Sequence, residues 1–205
     1  MLLQPLLESD PRLRVVCADL SKKQLSLKEQ QVEIDALLNY VDGHGNKGVA
    51  TPQNKDQQSV VGLSANQVGL MKQICIVDLS IGHRGYHDLH ALINPRITWR
   101  SKGTLMKNEG CVNFPTLRGL TLRARTIKVE ALDRSGNEMT LKLTGWPAVL
   151  LQHEVDHLNG HLFIDRLLDP AKADLVPEGE YKNYRLQKND WKRKIDVSSL
   201  IRLDD

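Results

Sequence analysis

Apolar residues at Leu27, Ile34, Leu37, Leu38 and Val41 recur near the spacing of one helix face, and Ser26-Leu27-Lys28-Glu29 has the form of a capping box. This pattern predicts a first helix from about Leu27 to Val41, stopped by Asp42-Gly43. Upstream, Leu2 to Leu20 mixes apolar residues with Pro5 and Asp10-Pro11, which suits an extended arm. Residues 43–59 are polar, carry Gly43, Gly45, Gly48 and Pro52, and hold almost nothing to bury, so a solvent loop is expected. Past Ser59 the runs shorten. Ile74 to Val77 reads as a strand, as does Leu92-Ile93 ahead of Asn94-Pro95. Ile127, Val129 and Ala131 alternate with polar residues, as do Met139, Leu141 and Leu143, and Asp133 to Asn137 supplies the turn of a hairpin between them. Trp146 to Leu158 is helical again, with Asn159-Gly160 as its stop. Pro170 to Asp205 is rich in both charge signs, with Trp191, Ile195, Val197 and Leu200 as its few anchors, and reads as a surface-docked or partly disordered tail. The order helix, short strands, helix predicts an α+β fold: antiparallel sheets around a central late helix, with an N-terminal helix and a polar C-terminal tail.

Composition narrows the classes. The chain has 205 residues, 40% hydrophobic and 26% charged, with a net charge of +3, which suits one globular domain with at most an appendage. A chain of this length buries a core without disulfides or a structural metal, so any metal is expected to serve chemistry. No apolar run approaches a membrane span, and the N-terminal stretch lacks the basic-then-apolar pattern of a secretion signal. Three widely spaced cysteines make no disulfide framework and favour a reducing compartment. The small basic excess and 4% aromatic content give no footprint for nucleic acid.

The chemistry concentrates in His153-Glu154-Val155-Asp156-His157. Four residues advance a helix by about 400°, so the two histidines project from one face and suit a single ion, with Glu154 placed to reach a coordinated water. Alone, the motif is equally compatible with core or solvated histidines. A catalytic metal site needs a third protein ligand and an open position. Downstream, His161 shares the face only if the helix continues past Asn159-Gly160. Upstream, Cys111 lies in Glu109-Gly110-Cys111-Val112-Asn113-Phe114-Pro115, expected to be irregular chain that aims a side chain into a cleft. Cys17 and Cys75 read as inert buried thiols. In Val61 to Leu70, the small residues Gly62, Ser64 and Ala65 allow close backbone approach, and Gln67 brings a neutral amide donor.

In this order and at these distances, the three segments resemble the peptide deformylase family, whose marks are Gly-Leu-(Ala/Ser)-Ala-x-Gln, Glu-Gly-Cys-Leu-Ser and Gln-His-Glu-x-Asp-His-Leu boxes. Gly62 to Gln67, Glu109 to Pro115 and Gln152 to Leu158 match them in turn. Asp10 to Arg14 and Gly160 to Leu167 are also similar to the family, so the likeness spans roughly Leu2 to Leu167. Residues 1–168 are therefore expected to form the catalytic domain and 169–205 a charged tail. The chain departs at Val60, where glycine is usual, and at Val112 and Asn113, where leucine and serine are usual. A second reading is thus a metal-binding protein with its cleft altered, and a third is a peptidase using the His-Glu-x-x-His motif with a downstream ligand.

The resemblance implies a metal-dependent hydrolase that releases formate from the formylated N-terminal methionine of nascent polypeptides, in the cytoplasm. It implies Cys111, His153 and His157 as ligands of one divalent ion, with iron(II) in the cell and zinc or nickel on isolation. It gives Glu154 the proton transfers and makes the Gln67 amide and the Val112 backbone N–H the donors to the developing oxyanion. Gly62 and Gly110 are expected to leave no room for more than a formyl hydrogen. Val149, Leu150 and Trp146 are expected around the methionine side chain, and Arg118 further along the substrate. A contact of the tail with the ribosome rests on its charge alone.

Overall fold

The computed structural model describes residues 2–44, 60–81, 88–187 and 190–201. Most of the loop expected at 43–59, and Asp204-Asp205, lie outside the described residues. The N-terminal arm is largely extended, with one 3-10 turn at Pro11–Arg14 whose Arg12 N–H donates to the Asp10 carboxylate at 2.9 Å and which buries Leu13. Two helices follow, α1 (Lys22–Leu25) and α2 (Lys28–His44). The capping box sits one turn earlier than the sequence suggests. Ser21 and Gln24 cap α1 reciprocally, whereas the Ser26 hydroxyl donates to the Lys23 carbonyl and closes that helix. α2 also runs past Gly43, because a glycine near a helix end costs only about 1 kcal/mol and does not bar the turn. Its buried residues Ile34, Leu37 and Val41 match the expected stripe.

Strands β1 (Gly62–Ser64), β2 (Ile74–Asp78) and β3 (Leu89–Arg100) come next, then β4 (Thr104–Cys111) and β5 (Phe114–Ala124), then β6 (Thr126–Leu132) and β7 (Glu138–Thr144). One antiparallel sheet has the order β1-β2-β3-β6-β7. The predicted hairpin is β6–β7, pairing Ile127 with Leu143, Val129 with Leu141 and Ala131 with Met139. Its Asp133 carboxylate accepts from the Ser135 and Asn137 N–H groups, and Gly136 takes φ 84°.

Two strand readings need correction. β3 does not end before Asn94-Pro95 but continues to Arg100 through a register shift between Ile93 and Arg96. Asn94 adopts φ 50° there, held by its side chain, which accepts from Leu20 N–H and donates to Leu20 C=O at 2.9 and 2.8 Å. The segment expected to be irregular at Glu109 to Pro115 is the tip of the long β4–β5 hairpin, in which Cys111 pairs with Phe114 across a two-residue turn. Its polar and charged residues hid the alternation because several are buried, Glu109, Arg118, Thr121 and Arg123 among them.

Helix α3 (Trp146–Leu158) has the predicted limits, with Pro147 in its first turn and Gly160 at φ 76° beyond its end. It packs against β1, β2, β3 and β7 of the first sheet and β5 of the second, and buries nearly every side chain from Ala148 to Leu158. The fold is α+β. No helix among the described residues is long and apolar enough to cross a membrane.

The second sheet has the order β4-β5-β8-β9, where β8 (Ala173–Leu175) and β9 (Lys194–Ile195) come from the charged C-terminal segment. β8 pairs Leu175 with Leu117 and Asp174 with Arg118. Between β8 and β9 runs α4 (Tyr181–Gln187), and Val176, Tyr184 and Trp191 form a small core of their own. Of the anchors read from the sequence, Trp191 and Val197 are buried, whereas Ile195 and Leu200 are exposed.

Candidate metal centre

Helix α3 places His153 and His157 one turn apart on its buried face, and the β4–β5 hairpin tip brings Cys111 to them. The two Nε2 atoms lie 3.2 Å apart, and Cys111 Sγ lies 3.3 Å from His157 Nε2. All three donor atoms fall within 4.8 Å of one another. Ligands bound about 2.0–2.3 Å from a tetrahedral ion lie about 3.3–3.6 Å apart, so the spacing fits a shared cation. His161 is not part of this cluster among the described residues.

The ring orientations fit as well. His153 Nδ1 lies 2.8 Å from Glu109 Oε2, and a carboxylate only accepts, so Nδ1 carries the proton and Nε2 turns its lone pair towards Cys111 and His157. Glu109 is itself clamped by Arg123, at 2.6 and 2.9 Å, and by the Thr121 hydroxyl; Arg123 also pairs with Asp156, which Arg166 meets at 3.2 Å. Burial would raise the Glu109 pKa, but bonds from His153 and Arg123 hold it far below the usual carboxylate range. Burial works against a cationic His153, yet the bonds to Cys111 and Glu109 outweigh it and raise its pKa well above the ordinary value. His157 is pushed well below, first by burial and then by His153. The thiol and two imidazoles, with the Glu109 carboxylate orienting one ring, make a donor set that suits a divalent ion.

Glu154 follows the first histidine and is fully covered. Its Oε2 accepts from Ser64 Oγ at 2.8 Å, and burial raises its pKa against the opposing pull of His153 and Ser64. Ser64 N–H donates to Gln67 Oε1 at 2.7 Å, which fixes the amide so that Nε2 faces the cluster, donating to Cys111 Sγ at 3.1 Å and Asn113 Oδ1 at 2.9 Å. The Gln67 stretch is thus a 3-10 turn (Ala65–Val68) locked to α3, because Asn66 also donates to the His157 carbonyl.

The cluster and its neighbours face a cavity of ≈ 380 Å³ that also reaches Gly62, Gly110, Val112, Trp146, Val149, Leu150 and Arg118, so every site residue read from the sequence lines it except His157, which is fully buried. Edge strand β1 and edge strand β4, each at the end of its sheet, both line the cavity. A side chain at Gly62 would meet Glu154 Oε1 at 2.6 Å and Leu150 Cδ1 at 2.8 Å, and one at Gly110 would meet the Arg118 side chain at 2.5 Å, so backbone passes close to side chains at both glycines. Trp146 is 39% exposed at the rim with Lys107 Nζ 4.6 Å from its ring. Arg118 is buried under Tyr181, whose ring centroid is 5.2 Å from the guanidinium carbon. Cys17 and Cys75 stand apart as buried thiols, and burial pushes Cys17 up to about 11 and Cys75 well above its ordinary value.

The profile of the Polypeptide deformylase family matches residues 6–173. The chain belongs to the peptide deformylase family. It is 44% identical over 121 residues to a peptide deformylase of Brachyspira hyodysenteriae, a match covering 58% of this chain and 64%, just under two thirds, of that protein. It is 33% identical over 185 residues to peptide deformylase 1 of Vibrio vulnificus, covering 90% and 97% of the two chains. A solved Acinetobacter baumannii peptide deformylase bound to Met-Ala-Ser superposes with a TM-score of 0.68 at 27% identity, covering 82% of this chain and 99% of that one.

Several residues of this deformylase-family site have contacts that the sequence does not show. The sequence marks Ser64 by its size, whereas its hydroxyl and N–H hold both Glu154 and Gln67. Asn113 accepts from Gln67 and donates to the Leu6 carbonyl at 2.8 Å, so it joins the amide donor to the N-terminal arm. Tyr181, Tyr184 and Arg185 line the cavity from α4. The only signal for them was a pair of tyrosines three residues apart in a chain poor in aromatics.

Proposed function

We propose that this protein hydrolyses the formyl group from the N-terminal methionine of newly made polypeptides, releasing formate and a free amine. The observation that carries this reading is the convergence of Cys111, His153 and His157 beside buried Glu154, in a cavity walled by two sheet edges. Cys111, His153 and His157 would hold one divalent ion, with the remaining position open. Iron(II) is proposed in the cell, with zinc or nickel accepted by the same thiolate–imidazole set. Such an ion supplies Lewis acidity and makes water a usable nucleophile near neutral pH.

Glu154 takes the proton of the water that attacks the formyl carbon and returns it to the nitrogen as the C–N bond breaks. Negative charge gathers on the former formyl oxygen, where the Gln67 amide and the Val112 N–H donate. A neutral amide suits this place, because a lysine or arginine would repel the ion. Gly62 and Gly110 bring backbone close enough to exclude a larger acyl group, while Val149, Leu150 and Trp146 receive the methionine side chain. An extended peptide pairs with the exposed edges of β1 and β4, as strands added to a sheet do.

With anaerobically iron-loaded protein, formyl-Met-Ala-Ser is expected to yield formate. Cys111→Ala is expected to lose the bound ion by elemental analysis, whereas Glu154→Gln keeps the ion and loses about 10²–10⁴ in kcat. No formate from any formyl-Met peptide would remove the reading. The cytoplasm is proposed as the protein's place of action, supported by the substrate class, newly made formylated chains. For the ribosome, the support is the charge of Lys192-Arg193-Lys194, although Lys194 pairs with Asp174 and Arg193 stacks over Trp191. Ribosome co-sedimentation left intact by Lys192→Glu with Arg193→Glu would count against that partner.

A further inference from the structure

The C-terminal helix stands over the outer end of the cavity, and only part of that arrangement follows from the reaction. Moving outward from Cys111, Gly110 lies against the Arg118 side chain, Arg118 lies under the Tyr181 ring, and Arg185 follows Tyr181 by one helical turn. The Arg118 guanidinium donates to the Pro115 carbonyl at 3.3 Å and to the Leu117 carbonyl, and only 4% of the residue is exposed. It is therefore a support for the wall and not a group presented to solvent.

Arg185, by contrast, is exposed. The other charged side chains that line the cavity among the described residues are Glu109, Arg118, His153 and Glu154, all buried. Arg185 forms no ion pair among the described residues. A peptide extended along β4 advances about 3.3 Å per residue. With its formyl end at the ligand cluster, as the proposed reaction requires, the residues after methionine would leave past Gly110 and Asn108, which line the cavity together with α4.

We propose that Arg185 selects among substrates by the charge of the residues that follow the methionine, favouring acidic side chains, with Tyr181 sealing Arg118 away from them. The helix of the charged tail then forms a specificity wall. This rests on the deformylase reading, and the two fail differently. Formyl-methionine amide, which stops short of α4, reports the reaction itself: absence of formate from it and from longer peptides overturns both.

The test compares formyl-Met-Ala-Asp with formyl-Met-Ala-Lys on the metal-loaded full chain. Wild type is expected to show a lower KM for the aspartate peptide, and the KM ratio is expected to shrink towards one as salt rises to about 1 M, where the screening length is only about 3 Å. Arg185→Glu is expected to shift that ratio by about fivefold or more towards the lysine peptide, a size set by exposed ion pairs of up to about 1 kcal/mol. Arg185→Lys keeps the charge and is expected to keep the preference. Formate from both peptides with equal KM in wild type, or a ratio unmoved by Arg185→Glu, overturns the proposal.

Discussion

At Gly62 the missing side chain is a requirement set by a carboxylate, since a methyl group there would sit 2.6 Å from Glu154 Oε1. Glu154 has little freedom to yield, because Ser64 holds its other oxygen and α3 holds its backbone. Gly62→Ala is therefore expected to keep the Cys111–His153–His157 cluster and its ion while displacing the proton-transfer group. kcat on formyl-Met-Ala-Ser should fall by at least about 10²-fold, within the range of acid–base contributions, with metal content unchanged by elemental analysis. The identities of such residues were legible in the sequence, because histidines four apart on a helix and a glycine-flanked cysteine leave marks. Their partners were not. Nothing in the sequence ties Ser64 to Glu154 across 90 positions, or Glu109 to His153 across 44.

Elements whose hydrophobic period matches their burial were read correctly, as α3 and the β6–β7 hairpin show. The β4–β5 hairpin is illegible because its buried face carries charge and its other face is apolar: Glu109 and Arg123 occupy buried positions that a period-two pattern assigns to apolar residues, while Leu120 and Leu122 are exposed. β3 was cut short for a different reason. Asn94-Pro95 is a turn signal, but here Asn94 uses its side chain to tie Leu20 of the arm to the strand while the ladder shifts register. Asn94→Ala removes both bonds and leaves a non-glycine residue at positive φ. About 2–4 kcal/mol of stability should be lost, measured by urea denaturation, and a loss below about 1 kcal/mol would show that the bulge does not depend on this clasp.

On the scale of the whole molecule, the N-terminal arm and the C-terminal segment are, among the described residues, both bound into the body. The Arg14 side chain pairs with Asp165 and donates to the Leu200 carbonyl at 2.7 Å, so the N-terminal arm, the turn after α3 and the C-terminal segment meet at one side chain. Of the two readings of residues 170–205, surface-docked or partly disordered, the described residues show docking, though their charged composition gives no sign of the Arg14 contact. The anchoring of this segment depends on a few contacts, such as the Trp191 indole donating to the Leu175 carbonyl at 2.8 Å and the edge-on packing of Trp191 against Tyr184 at 5.4 Å. Trp191→Ala should destabilise the fold by about 3 kcal/mol, seen as a lower Tm, and should raise the KM of tripeptides by loosening α4. A lower Tm with tripeptide KM unchanged would separate the tail from the cleft.

The position of Trp146 at the cavity rim has a practical meaning. With Trp99 and Trp191 replaced by phenylalanine, the remaining indole becomes a built-in reporter of occupancy. Its emission would follow a guest entering the mouth in real time, without label and without turnover.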